Sequence, residues 1–256
     1  MGSLDGHVWF DLAADRTHPA ASTLKLPLLV AVHRAVERGR ITLDDPILVH
    51  ETFASASEGE TYETTEEYDN DPRPWVLLGS TASVGWLAGR AIISSSNLAT
   101  NLLIELLGLD AVNEVYAAVG SRHSRLRRGI QDTPAGEHGL WNTATAGDMA
   151  AVLRGSLDGR LLDDESAQQF EATLAACEDN DAIPAGLPGD TYVAHKPGWI
   201  DEACHDVALV RPADEAPFLL SIYTTAPLDD PSIHRLVAEI ASVFWQHRAR
   251  LAHRGR

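Results

Sequence analysis

The chain has 256 residues, of which 45% are hydrophobic, enough to bury a sizeable core in one large domain or two small ones. Its formal net charge of −17 argues against nucleic acids and anionic membrane surfaces as partners. No apolar run has the length of a membrane span, and the first residues lack the basic region and apolar run of a secretory signal. We therefore expect a cytoplasmic protein, with the mature form of an exported protein as the alternative.

The first part of the chain predicts a strand, a helix and an acidic loop. His7–Leu12 reads as the strand, and apolar residues at helical spacing predict a helix over 22–38, with Gly39 as its C-terminal cap. Residues 51–72 are the acidic loop, because eight carboxylates and no basic residue lie between Glu51 and Asp71. We expect this loop to be exposed and partly mobile. Its acids lack the Gly-punctuated spacing of a cation-binding loop, so we expect no metal site.

The rest of the chain predicts a helical middle and a strand-rich end. Helices are predicted over 81–93, 98–107, 111–119, 146–154 and 162–177, with a polar loop over 121–139. Strands over 191–194, 203–210 and 218–224 precede a closing helix over 232–251. This order predicts an α+β fold, in which both chain ends form an antiparallel sheet with helices on it and an all-helical block is inserted. We expect a single unit over 1–256, with a sheet subdomain of 1–50 plus 190–256 and a helical subdomain of 75–185.

The counts of cysteine and lysine narrow the chemistry. Cys177 and Cys204 are too few for a disulfide framework, and we expect free buried thiols, although the sequence does not decide whether they pair. Of the 20 basic residues, only Lys25 and Lys196 are lysines. Arginine cannot be deprotonated in a protein, whereas lysine can. Because the chain otherwise uses arginine, the presence of lysine at these two positions indicates a chemical role for them.

Ser22 and Lys25 form the first candidate catalytic pair. Residues three apart share a helix face, so the Lys25 amine can reach the Ser22 hydroxyl. A serine hydroxyl needs an adjacent base to act as a nucleophile, and a desolvated lysine near a second cation can lose its proton and serve as that base. The alternative is an ordinary helix serine beside a surface lysine.

Two further polar groups occur later in the chain. Ser95 and Asn97 are two residues apart on a stretch between two predicted helices, where a helix cap is the alternative explanation. Lys196 and Gly198 lie on a predicted strand, where the glycine lets a ligand approach the backbone closely. A lysine on an edge strand is otherwise a device against aggregation.

In this order and separation, Ser-x-x-Lys, Ser-x-Asn and Lys-x-Gly resemble the three motifs of the serine β-lactamases and penicillin-binding proteins. The flanking sequences PAASTLKLPLL, SSSNLATNLLIELLG and VAHKPG, the last followed by HDVALV, are similar to the class A branch of that family. The resemblance covers nearly the whole chain and includes Asn101 and the stretch Asn142–Thr145. It implies a β-lactamase/transpeptidase-like fold and a small-molecule substrate, without a cofactor.

The resemblance also implies a role for each motif residue. Ser22 would be the acylated nucleophile and Lys25 its general base. Ser95 would relay a proton to the leaving group, Asn97 would bind the substrate amide and Lys25, and Lys196 would supply positive potential to the substrate and to Ser95.

The same resemblance implies an oxyanion hole. The backbone N–H groups of Ser22 and Trp199 would stabilise the negative charge that develops on the substrate oxygen. Gly198, which precedes Trp199, belongs with them to the predicted substrate-binding residues.

The chain departs from the family in three places. The loop after Leu126 lacks the glutamate that activates the deacylating water in a class A β-lactamase, although Asp132 or Glu137 could substitute for it. Pro197 stands where family members usually carry a threonine or serine that helps to bind the substrate carboxylate. The chain also starts near the family's second strand, so its sheet edge could be covered by a partner subunit, as in a homodimer.

We therefore expect a serine hydrolase or acyl-transfer enzyme that acts on an amide, lactam or ester through an acyl-Ser22 intermediate. β-Lactam hydrolysis is the leading single activity, in a weak or altered form. One alternative is a penicillin-sensing or binding module that is acylated without turnover. Another is an isomerase or cyclase that uses Lys25 as a base without acylation.

Overall fold

The computed structural model describes residues 1–254, and a four-stranded antiparallel sheet lies at its centre. The strands stand in the order β1-β10-β9-β8, so the start of the chain pairs with its last strand. Gly2 of β1 lies opposite Leu219 of β10, and Trp199 of β8 lies opposite Cys204 of β9. The strands of this sheet are β1 (Gly2–Ser3), β8 (Tyr192–Ile200), β9 (Ala203–Arg211) and β10 (Phe218–Thr225).

Helices cover both faces of the sheet. Those of the described residues are α1 (Lys25–Glu37), α2 (Val84–Ile93), α3 (Asn97–Leu107), α4 (Leu109–Ala118), α5 (Thr133–Glu137), α6 (Ala146–Leu157), α7 (Asp164–Ala175) and α8 (Asp230–Arg254). Short strand pairs complete the fold: β2 (His18–Pro19) with β7 (Thr143–Ala144), β3 (Pro46–Leu48) with β6 (Thr81–Ser83), and β4 (Thr52–Ala54) with β5 (Thr61–Glu63).

Strand β9 is buried on both faces and divides the core into two clusters. Val207 and Leu209 point into the larger cluster, with the helical block, whereas Ala208 and Val210 point into a smaller cluster under α8. This is the alternation expected of successive residues in a strand. Helix α1 is the centre of the larger cluster, and its first eleven residues except Arg34 are buried. The α+β fold predicted from the sequence is confirmed.

The strand predicted over His7–Leu12 is wrong. The chain turns back at Gly6, whose φ is +96°, and Val8 forms only an isolated bridge to Gly2. Within this segment, the backbone N–H groups of Trp9 and Phe10 donate to Met1 O at 3.0 and 3.2 Å. The sheet edge beside β10 is therefore taken by the first residues of the chain, which local strand propensity does not predict.

The acidic segment is more ordered than the exposed loop predicted over 51–72. Strands β4 and β5 form a hairpin whose Phe53 and Tyr62 are buried, with their ring centroids 5.6 Å apart and the ring planes tilted by 32°. Asp71 is fully buried and pairs with Arg73 and Arg90 at 2.7 and 2.5 Å. These basic partners lie outside the acidic run, so composition alone could not show that its carboxylates are paired.

Other predicted elements differ at their boundaries. The helix predicted from Thr81 starts only at Val84, because Thr81–Ser83 pairs with β3. The polar loop over 121–139 contains the short helix α5. Thr145 caps α6, and its hydroxyl accepts from the Asp148 N–H at 3.1 Å. The division into two subdomains stays a prediction.

Candidate active site

Ser22 lies in a tight turn directly before α1. Residues Ala21–Leu24 form a 3₁₀ turn, so the helix predicted from Ser22 becomes α-helical only at Lys25. Ala21 has a φ of +45°, in the left-handed region that an alanine rarely adopts, so local strain is stored beside the hydroxyl. The turn keeps Ser22 and Lys25 on one face, with 3.1 Å between Lys25 Nζ and Ser22 Oγ.

Lys25 is fully buried and has four polar neighbours. Its Nζ donates to Ser95 O at 2.7 Å, lies 3.0 Å from Ser95 Oγ, and donates to Asn97 Oδ1 at 2.9 Å. Burial lowers the pKa of Lys25 well below its ordinary value, and the charge of Lys196 lowers it further, while Asp69 opposes both. A lysine in this environment gives up its proton more readily than an exposed lysine does, which is what a general base requires.

Ser95 bridges the two lysines. It lies between α2 and α3 with a φ of +58°, another strained position. Lys196 Nζ lies 3.2 Å from Ser95 Oγ and donates to Pro197 O at 2.9 Å. Burial also lowers the pKa of Lys196, which is fully enclosed on β8. The structure thus places Ser22, Lys25, Ser95 and Lys196 in one hydrogen-bonded chain.

Gly198 is the point of closest approach between the sheet and the Ser22 turn. A Cβ at this position would lie 2.6 Å from Ser22 N and 2.7 Å from Thr23 N, which no side chain tolerates. The β8 backbone therefore lies directly against the N–H groups of the turn. Trp199 follows on the same strand and lines the cleft. The predicted oxyanion hole of the Ser22 and Trp199 N–H groups is compatible with this approach.

These residues open into a cleft of about 550 Å³ between β8 and two loop segments, 67–70 and 128–131. Asn101, which the sequence resemblance singled out, holds the second wall: its Oδ1 accepts from Ile130 N at 2.8 Å and its Nδ2 donates to Ile130 O at 2.9 Å. The cleft therefore has a serine hydroxyl, a buried lysine amine and backbone N–H groups at its floor. It is an arrangement suited to acyl transfer.

A family model described as the β-lactamase enzyme family matches residues 1–248. The chain belongs to the β-lactamase enzyme family. The β-lactamase SME-1 of Serratia marcescens is 25% identical over 241 residues, which cover 91% of this chain and 78% of that protein. A β-lactamase from Sphaerobacter thermophilus has a solved structure with a TM-score of 0.77 and 27% identity, covering 94% of this chain and 87% of the other. The structure of PBP-A, at 24% identity and a TM-score of 0.77 over 93% of this chain and 83% of its own, shares the fold.

Membership of the β-lactamase family confirms the resemblance drawn from the three motifs, and it makes the cleft wall near Asp132 informative. Asp132 is buried and caps α5, accepting from Ser55 Oγ at 2.6 Å, Ala56 N at 2.8 Å and Ala135 N at 3.2 Å. Glu137 is exposed at the end of α5. Neither residue lines the cleft, so the structure does not support the water-activating role predicted for them.

Gln131 instead faces the cleft on that wall. Its φ is +64°, and its Oε1 accepts from the Thr65 N–H at 3.1 Å, which ties the wall to the acidic segment. A neutral amide cannot take a proton from water, in contrast to a carboxylate. This family member therefore carries a hydrogen-bonding group, without base character, on this wall.

Asp69 is a site residue that the sequence did not predict. Its carboxylate accepts from Asn97 N at 3.0 Å, Leu98 N at 2.8 Å and Ser96 Oγ at 3.2 Å, and so holds the start of α3. Asn97 Nδ2 also donates to Tyr68 O at 2.6 Å. An acidic residue is favoured at a helix N-terminus, but Asp69 reaches it from a distant segment, which no local pattern predicts.

A buried ion pair joins His195 of β8 to Asp206 of β9. His195 Nδ1 donates to Asp206 at 3.0 Å, and His195 Nε2 lies 3.3 Å from Asn180 Oδ1. Burial alone would lower the pKa of His195, but the charge and hydrogen bond of Asp206 raise it to about 10. Asp206 also accepts from Ile183 N at 3.0 Å. The pair therefore fixes the segment that follows α7 against the strand that carries Lys196.

Among residues 1–254, no group of three or more histidine, cysteine or acidic side chains could hold a metal ion. Nor does any helix in that range have the length and apolar character to cross a membrane. Cys177 and Cys204 are both free and buried, as the sequence predicts.

Proposed function

We propose that this protein is an acyl-transfer enzyme in which Ser22 attacks an amide, lactam or ester and forms an acyl-enzyme. The contact between Lys25 Nζ and Ser22 Oγ, inside a site that lowers the pKa of the lysine, carries this proposal. The family supplies the serine hydrolase chemistry.

The first half of the reaction uses each residue of the hydrogen-bonded chain. Lys25 takes the hydroxyl proton as Ser22 Oγ bonds to the carbonyl carbon. The backbone N–H groups of Ser22 and Trp199 hold the oxyanion. Ser95 Oγ, placed between the two lysines, passes the proton to the leaving nitrogen or oxygen when the carbonyl bond to that atom breaks. Asn97 positions the substrate amide beside Lys25.

The second half of the reaction is expected to be slow. Water must be activated to cleave the acyl-Ser22 ester, and the two acids predicted for that task do not line the cleft. Three other carboxylates do line it, those of Glu67, Asp179 and Asp201, but in the described part of the chain none of them is hydrogen-bonded to Ser22, Lys25 or Ser95. Gln131 can orient a water but cannot take its proton. We therefore propose that acylation is faster than hydrolysis, so the acyl-enzyme accumulates. β-Lactams belong to the proposed substrates, with weak turnover.

Intact-protein mass spectrometry tests the proposal. Incubation with a fluorophosphonate and with a penicillin should each add one adduct, which peptide mapping places on Ser22, and Ser22→Ala should remain unmodified. No adduct on Ser22 with either reagent would overturn the covalent mechanism.

The same slow step favours a second candidate, an acylated sensor without turnover. Quenched-flow counting of product separates the two, because an enzyme releases many equivalents of hydrolysed acid per protein, whereas a sensor keeps the acyl group on Ser22 and releases none. An ester that yields one equivalent of its leaving group and no hydrolysed acid over hours would replace the enzyme with the sensor.

A further inference from the structure

The charged side chains of the cleft are unusual for a site that receives anionic substrates. Its lining includes three carboxylates, those of Glu67, Asp179 and Asp201. Among the lining residues that the structure describes, Arg128 is the one basic side chain. Arg128 is already engaged, because its Nη1 donates to Asp132 O at 2.5 Å and its guanidinium lies 4.4 Å from the Trp141 ring centroid. The open end of the cleft is therefore negative.

The two lysines do not reverse this sign at the mouth. Lys25 and Lys196 are fully buried, and their amines are turned towards Ser95 and the backbone rather than the open space. Pro197 offers neither a hydroxyl nor an N–H to a carboxylate at this edge of β8. A substrate carboxylate would find no free hydrogen-bond donor here among the side chains just named.

Asp179 has the best position of the three carboxylates to bind a substrate. It is half-buried, lines the cleft together with Ser95 and Trp199, and forms no ion pair with any residue in the described part of the chain. Its Oδ1 accepts one hydrogen bond, from Asp181 N at 3.3 Å, which leaves acceptor capacity free. Trp199, 39% exposed, presents an indole ring on the same side of the cleft.

We propose that Asp179 determines specificity for acyl donors that carry a cation, such as an ammonium or guanidinium group, at the end of the cleft bounded by Trp199. A carboxylate and an aromatic ring together are a favourable environment for such a group, because the ion pair and the cation–π contact add. This inference rests on the proposed acylation of Ser22 and names the substrate class of that site.

Three esters of one shape test the charge preference: the p-nitrophenyl esters of p-guanidinobenzoate, p-ureidobenzoate and p-carboxybenzoate, which are cationic, neutral and anionic. In each case the Ser22 Oγ–carbonyl bond forms, the ester C–O bond breaks, Lys25 takes the hydroxyl proton and p-nitrophenolate leaves. The second-order rate constant of the burst should be about tenfold higher for the guanidino than for the ureido ester. It should be lowest for the carboxy ester, and the preference should weaken with salt.

Asp179→Asn is the decisive variant, because asparagine keeps the acceptor for Asp181 N and removes the charge. The guanidino-to-ureido ratio should fall from about ten towards one. Asp190→Asn makes the same charge change at an exposed residue outside the cleft and should keep the wild-type ratio.

The outcomes separate this inference from the proposed function. A burst whose rate is equal for the three esters, highest for the carboxy ester, or unchanged in ratio by Asp179→Asn overturns the role of Asp179 and leaves acylation of Ser22 standing. Absence of a burst from every ester, together with absence of an adduct on Ser22, overturns both.

Discussion

At the scale of single residues, the two lysines differ from the other basic residues of the chain in being able to lose their proton. Lys25 and Lys196 stand at buried positions where the rest of the chain would use arginine, and both are held around one serine hydroxyl. The proposed role of Lys25 as a base depends on its being able to lose a proton, which the guanidinium of arginine cannot do.

Lys25→Arg should therefore lower the acylation rate of Ser22 by a factor on the order of 10² to 10⁴, the contribution of a general base. In the wild type, acylation should accelerate as pH rises through the pKa of Lys25, and the plateau should begin below the ordinary lysine value because burial and Lys196 lower that pKa. Stopped-flow acylation against pH measures both effects. A Lys25→Arg variant that is folded, by thermal melting, and acylates within a few-fold of the wild type would contradict the assignment.

Gly198→Ala should remove activity through geometry alone. Its new Cβ would meet the Ser22 and Thr23 backbone nitrogens at 2.6 and 2.7 Å, and backbone atoms cannot move aside cheaply. We expect loss of measurable acylation and a lower Tm, since the sheet and the turn must separate. Gly189→Ala is the matched control, because no heavy atom lies within 4 Å of its added Cβ. A Gly198→Ala variant with wild-type acylation would show that β8 does not form part of the site.

At the scale of elements, the start of α3 depends on a residue from another segment. The Asp69 carboxylate accepts hydrogen bonds from two backbone N–H groups at the start of α3. Asn97, the first residue of that helix, accepts a hydrogen bond from Lys25 Nζ. The position of the Lys25 amine is therefore coupled to the acidic segment.

Asp69→Ala should cost about 1–3 kcal/mol in the free energy of unfolding, because buried donors lose their acceptor. It should also reduce the acylation rate, because Asn97, which contacts Lys25, loses the carboxylate that accepts from its backbone N–H. Asp110→Ala, in the exposed first turn of α4, is the control and should cost only a few tenths of a kcal/mol. Urea denaturation and burst kinetics provide the two readouts. Equal losses for the two variants would refute the special role of Asp69.

The elements also show what a sequence can and cannot predict. Helices around the motifs were predictable because their apolar spacing is local, and the three strands after residue 190 were predictable from short apolar runs, although β8 continues past 194 to Ile200. The edge strand Gly2–Ser3 was not predictable, and a strand was wrongly predicted over 7–12, because pairing at a sheet edge depends on which distant strand is free. The spacing of the motifs predicted that Ser22, Lys25, Ser95 and Lys196 share one site. Asp69 and Gln131 could not be predicted, because they make contacts between loops that are distant in sequence, and such contacts leave no periodic signal.

At the scale of the whole molecule, two buried histidines give stability a pH optimum. His205 is neutral, since its Nε2 donates to Pro19 O and its Nδ1 accepts from Thr224 N, and burial, with the charge of His18, lowers its pKa to about 4. The unfolded chain then binds more protons between pH 4 and 6.5, so stability rises with pH there. His195 behaves oppositely: its pKa of about 10 makes stability fall as pH rises from 6.5 to 10.

Denaturant unfolding across pH 4.5 to 9.5 checks this for each histidine. The stability gap between the wild type and His195→Gln should be largest at and below about pH 6.5 and shrink as pH approaches 10, because the ion pair with Asp206 disappears. The gap to His205→Gln should grow from acid pH to neutrality. Gaps that do not change with pH would contradict the assigned protonation states.

The contact between Gly198 and the Ser22 turn joins parts of the chain that are made at very different times. During synthesis Ser22 emerges early, while β8 and the two strands that hold it in the sheet follow only near the end. Until then the turn lacks the wall that carries Lys196, and Ser22 lacks the strand that would complete the proposed oxyanion hole. Contacts this distant in sequence also form slowly. The proposed reactivity of Ser22 should therefore appear only with the complete fold, so a nascent or truncated chain is kept from being acylated.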